Sequence, residues 1–141
     1  AGTEVLGIVS KPGFGDEPGQ VPAPEVQAPR GIGLSLAIRT AIRNAQRPVG
    51  LVIADLNGDD RRAADWGHAL VRVAGEQPSL RDAPIWTPAT SFGETGCASA
   101  GLAIGVAIEA LGRGYAGSDS ILVVSSSATA DRGAVVVGGV P

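Results

Sequence analysis

Ser91-Phe-Gly-Glu-Thr-Gly-Cys-Ala-Ser-Ala-Gly-Leu-Ala-Ile-Gly-Val-Ala-Ile-Glu-Ala-Leu111 decides the architecture. A Gly-Glu-Thr-Gly turn at 93–96 opens a run that is apolar almost all round. Between Glu94 and Leu111 the one further charge is Glu109. A surface helix shows a polar face and this one hardly does, so residues 95–111 are expected to form a buried helix. Gly101 and Gly105 stand four apart, on one helical face, where a second backbone can approach closely. A short loop aimed by such a helix is a way to hold a reactive side chain in place.

Working outward, residues 4–9 (Glu-Val-Leu-Gly-Ile-Val) read as a first strand. Residues 10–30 are rich in proline and glycine and read as a long loop, mobile or functional, or else a spacer. In 31–46, Leu34, Ile38, Ala41, Ile42 and Ala45 make a helical stripe, with Arg39, Arg43 and Arg47 facing water. Residues 49–54 are near-continuously apolar, as in a parallel strand covered on both faces. A turn at 55–60 leads to a second helix at 61–74, with Trp66, Leu70 and Val73 inward. A short strand at 84–86 precedes the apolar helix, and Gly112, Gly114 and Gly117 end that helix. Strands at 120–124 and 133–137, joined by a polar turn, suggest a closing hairpin. The order β-α-β-α-β-α-β-β argues for an α/β fold with a mixed, mostly parallel sheet and an antiparallel edge. Ligands of such sheets gather at the carboxyl ends of the strands, where Asp55 and Glu94 both lie.

A chain of 141 residues is expected to form a single domain. Hydrophobic content of 44% and charge of 18% fit a globular protein with a substantial core. The net charge of −3 and the scatter of arginines among acidic residues argue against nucleic acid as a main partner. One cysteine excludes an internal disulfide and a multi-cysteine metal site, and fits the cytoplasm. No basic-then-apolar leader opens the sequence. The apolar run at 97–111 contains Glu109 and is too short to span a bilayer, so no membrane is expected. The sequence contains no methionine, which fits either an initiator removed before Ala1 or a piece of a longer protein.

Asp55-Leu-Asn57-Gly-Asp59 matches the first three ligands of a calcium loop. The next positions break the match: Asp60 stands where glycine should, and Trp66 where the last carboxylate should. The turn therefore reads as a helix start capped by Asp59 or Asp60, and no metal or cofactor is expected. Asp55 and Glu94 could also form an acid pair with one member protonated. Cys97 reads as a buried structural thiol. His68 reads as a solvated or partly packed helix residue.

The order of these motifs resembles the C-terminal half of a β-ketoacyl synthase, of the thiolase-like superfamily, over about residues 3–138. Family members end a strand in His-Gly-Thr-Gly-Thr, where this chain has Val52-Ile-Ala-Asp-Leu-Asn-Gly-Asp59. They have a Gly-His-Thr turn before a small-residue helix, where this chain has Gly93-Glu94-Thr95. They close with a Phe-Gly-Gly-Thr-Asn hairpin, where this chain has Ser125-Ser-Ser-Ala-Thr-Ala-Asp-Arg-Gly133. The resemblance implies a thiolase-like half, with the family's two histidines falling at Asp55 and Glu94 and its lysine at Ala89. It also implies that the nucleophilic cysteine belongs to an N-terminal half outside residues 1–141.

An imidazole can donate to a developing oxyanion, whereas an ionised carboxylate accepts and repels it. The double replacement therefore implies no catalytic residue at Asp55 and Glu94. The expected role is a catalytically inactive binding or assembly module. Similar degenerate proteins, found in bacteria beside type VI secretion cargo genes, carry a like Asp-Leu-Asn-Gly turn followed by Arg and Asp-Trp-Gly. The alternative is one half of an active condensing enzyme or hydrolase. Gly101, Gly105, Leu102, Ile104 and Ile108 are expected to pack on a partner: an N-terminal thiolase-like half or a second copy. The resemblance also admits an acyl carrier protein or secretion cargo.

Overall fold

The computed structural model describes residues 3–20 and 27–140. Two short edge strands, β1 (Ile8–Val9) and β2 (Gly13–Asp16), precede helix α1 (Ile32–Ala45). Strand β3 (Leu51–Ala54), α2 (Asp60–Val73), α3 (Ser79–Asp82) and β4 (Ile85–Trp86) follow. Then come α4 (Ala89–Phe92), a 3-10 turn at Gly96–Ala98, α5 (Ser99–Gly112), β5 (Ser120–Ser126) and β6 (Asp131–Gly138).

The sheet runs β1-β6-β5-β3-β4, with β2 also on β6. It is mixed, as expected. β4-β3-β5 is parallel, while β5-β6 and both edge strands on β6 are antiparallel. The antiparallel share is larger than expected because part of the 10–30 segment is strand rather than loop. Residues 21–26 of that segment lie outside the described residues. The first strand is shorter than 4–9. Its register passes from Val9↔Val137 to Gly13↔Ala134, leaving one extra residue on the edge side. That is a bulge, and Pro12, which has no N–H for a ladder, sits in it.

Side chains alternate across the strands, so the sheet has two cores. Val52, Ala54, Leu122, Val124, Ala134 and Val136 face α1 and α2, with Leu34, Ile38 and Trp66. Leu51, Ile53, Ile121, Val123, Val135 and Val137 face α5. Glycine lets β2 cross α1 at backbone contact. A Cβ at Gly13 would lie 2.1 Å from the Ala37 carbonyl oxygen, and one at Gly15 would lie 2.2 Å from that of Gly33.

Helix α5 corrects one expectation. It begins at Ser99 rather than 95, and it is buried along one stripe only: Ala103, Ala107 and Ala110. Leu102, Ile104, Val106, Ile108 and Leu111 are half-buried, and Gly101 and Gly105 are exposed. A single sheet meets one face of a helix. The small alanine stripe takes that contact, which leaves the larger apolar residues at its margins. Among the described residues, no helix is long and apolar enough to cross a membrane.

Candidate functional site

Strand β3 delivers Asp55 at its carboxyl end, beside the end of its parallel neighbour β5. The Ser126 N–H donates to Asp55 Oδ2 at 2.6 Å. Asp59 caps α2, accepting from the Arg61 N–H at 2.8 Å, which sets the first turn of the helix. That turn carries Arg62 back over Asp55. Arg62 Nη1 donates to the Asp55 carbonyl oxygen at 2.9 Å and lies 3.4 Å from Asp55 Oδ2. The same nitrogen is 3.9 Å from Glu94 Oε2.

Glu94 comes from the loop after α4. Its carboxylate accepts from the Asn57 side-chain amide and, at 2.9 Å, from the Gly96 N–H. Asn57 also accepts from the Asp59 N–H at 3.1 Å. The three residues that resemble calcium ligands thus turn to three different partners: Arg62 and Ser126, Glu94, and the start of α2. The acid-pair reading meets Arg62 standing against both carboxylates.

The two acids are held in opposite ways. Burial pushes the Asp55 carboxyl above its ordinary 3.8, against the opposing pull of the Ser126 N–H and the Arg62 charge. The Asn57 amide, and after it the Gly96 N–H, hold Glu94 below its ordinary 4.5. Burial thus raises one carboxyl, and hydrogen bonding lowers the other.

A groove of about 720 Å³ opens beside this cluster, between α5 and the β1–β2 edge. Val9, Phe14, Ile104 and Val135 give it an apolar wall, and Arg62 and Cys97 border it. Cys97 is exposed, which corrects the buried reading. It falls in the 3-10 turn ahead of α5, outside the alanine stripe that meets the sheet. His68 is exposed on α2, with Nδ1 2.9 Å from the Pro29 carbonyl oxygen, in keeping with a partly packed helix residue.

Two features escaped the sequence reading. Asp65 and Arg132 form a buried ion pair at 2.5 Å, joining α2 to β6. Arg132 Nη1 also donates to the Thr129 and Asp131 carbonyl oxygens, holding the β5–β6 turn at the rim of the groove. The signal was an acid on the inward stripe of α2, next to Trp66. Glu17 is the second. It is buried and reaches across to α1, accepting from the Gly33 N–H at 2.8 Å and from the Arg30 N–H. No local pattern points to a cap sixteen residues away from the helix turn it serves.

No family model matches the sequence, and no curated protein matches it. Solved structures match it in fold. One is a type II PKS acyl-carrier protein in complex with its ketosynthase, bound to the hexaketide. The TM-score is 0.80 at 14% identity, covering 97% of this chain and 39% of that one. An oxazolomycin ketosynthase domain of Streptomyces albus aligns with a TM-score of 0.75 at 12% identity, covering 96% of this chain and 45% of that one. A keto synthase–chain length factor aligns with a TM-score of 0.66 at 15% identity, covering 97% of this chain and 13% of that one. The chain therefore has the fold of part of a ketosynthase and spans less than half the length of each neighbour.

Proposed function

We propose that this chain is a ketosynthase-fold binding or assembly module with no condensing chemistry of its own. The observation that carries the reading is Arg62 between Asp55 and Glu94. Both acids stand where the resemblance puts histidines that donate to a thioester oxygen. Here Asp55 accepts from Ser126, Glu94 accepts from Asn57 and Gly96, and Arg62 answers their charge. Neither acid brings the N–H that a histidine at its position would donate to a developing oxyanion.

The partner surface in this proposal is the open face of α5. A Cβ on Gly101 or Gly105 would meet nothing within 4 Å, so a second helix has room to lie there. Its occupant is a second thiolase-like half or a second copy of the chain. An acyl carrier protein is a further candidate partner, since one neighbour is a ketosynthase in complex with such a protein. A bacterial cytoplasmic setting and secretion cargo as the client belong to the same proposal.

The second reading, half of an active condensing enzyme or hydrolase, draws on the span: 39% of the first neighbour's chain leaves room for a nucleophile elsewhere. Malonyl and acyl thioesters on carrier protein separate the two readings. The module reading expects decarboxylation and condensation at the buffer rate. Turnover by the chain, alone or joined by a cysteine-bearing half, supports the second.

A further inference from the structure

At the opposite end of the sheet from Asp55, α1 ends just before β3 begins. Arg39 and Arg43 stand four residues apart on its outer side, and Arg47 follows just past its end. With Gln46, Pro48 and Gln77 they line a groove of about 510 Å³. The groove holds one carboxylate, Glu76, and Arg39 already engages it, its Nε 2.9 Å from Glu76 Oε2. Arg47 donates to the Gly139 carbonyl oxygen at 3.2 Å. Arg43 is exposed and makes no ion pair among the described residues. Three guanidiniums facing one acid make a positive groove on a chain whose net charge is −3.

The helix dipole accounts for a cation in the last turn and for no more, because its effect fades within that turn. Arg39 lies farther back. Gln46 adds an independent sign. It follows α1 in the left-handed conformation, φ 52° and ψ 35°. It is the one non-glycine residue with positive φ among the described residues. Glycine is the relaxed choice at this position, so a strained glutamine there points to a use for its side-chain amide. That amide borders the same groove.

We propose that this groove docks an acidic helix of a partner protein. Arg39 and Arg43 are spaced by about 6 Å along the α1 axis, the spacing of carboxylates four residues apart on another helix, and Arg47 extends the positive charge past the end of α1. A single phosphate meets one or two guanidiniums and would leave the rest of this groove unmatched. The site lies away from the open face of α5, so it can be filled whether or not α5 has a partner.

The test is titration of the chain with a synthetic helical peptide carrying glutamate at every fourth position, followed by fluorescence anisotropy. Binding is expected to weaken as salt rises. Arg43→Glu, at an exposed site without an ion pair, should weaken it roughly tenfold with an unchanged melting temperature. Glu76→Gln, which removes the opposing acid, should strengthen it. Inorganic phosphate and a single-stranded oligonucleotide at the peptide's concentration should not displace it. No peptide binding, binding indifferent to Arg43→Glu, or tighter binding of the oligonucleotide overturns the proposal.

Discussion

Arg62 grips Asp55 twice through one nitrogen, at the backbone carbonyl oxygen (2.9 Å) and at the carboxylate (3.4 Å). The double contact ties the end of β3 to the first turn of α2 and fixes where the acid points. Burial outweighs that help, and the carboxyl of Asp55 sits above its ordinary value. The folded chain therefore binds this proton more tightly than the unfolded chain does. Its contribution to stability is complete below pH 3.8 and is lost as pH rises through the higher folded value.

Asp55→Asn keeps an acceptor for the Ser126 N–H and removes the titration. Melting temperatures of both proteins across the acid-to-neutral range should therefore diverge. The variant gains on the wild type as pH climbs past 3.8, and the gap then levels off. A gap that is constant with pH, or that moves the other way, contradicts the buried-acid account.

Gly15→Ala should be severe. The new methyl would sit 2.2 Å from the Gly33 carbonyl oxygen, inside the contact that seats β2 on α1. Backbone cannot yield as a side-chain tip does, so a loss of about 3 kcal/mol in chemical denaturation is expected. Gly67→Ala, on the open side of α2, is the control, since its Cβ meets nothing within 4 Å. Equal behaviour of the two variants would remove the close-approach explanation.

Much of this fold was legible in the sequence, because hydrophobic period and glycine punctuation carry it. The stripe of Leu34, Ile38, Ala41 and Ile42 and the apolar β3 stand as read. Cys97 and α5 misled for a shared reason. Apolar composition states what a helix could bury, not how much surface one sheet covers. At the site, Asp55 and Glu94 were legible as acids at one sheet edge. Arg62 between them was not, since no local spacing says which guanidinium will reach a residue thirty-two positions away.

Cys97 is exposed beside the apolar groove. A thiol reagent should modify it fully in the native chain, without denaturant. If a partner helix lies on α5, modification should slow when the partner is added. Resistance of the isolated chain would restore the buried reading.

On α5, Gly105→Leu separates monomer stability from association. Free of contacts within 4 Å, the new side chain should leave the isolated chain folded, and losing a mid-helix glycine adds about 0.5–1 kcal/mol. Sedimentation of the chain with itself, and with a thiolase-like half, should show weaker association than the wild type. Association that ignores the substitution places the partner surface elsewhere.

Release of carbon dioxide from a malonyl thioester tests the central claim most directly, with the chain alone and then mixed with a cysteine-bearing ketosynthase half. With Asp55 and Glu94 tied to Arg62, Ser126 and Asn57, the account predicts the buffer rate for the chain alone and no gain on adding it to the half. Release clearly above these rates, abolished by Asp55→Ala or Glu94→Ala, would contradict it.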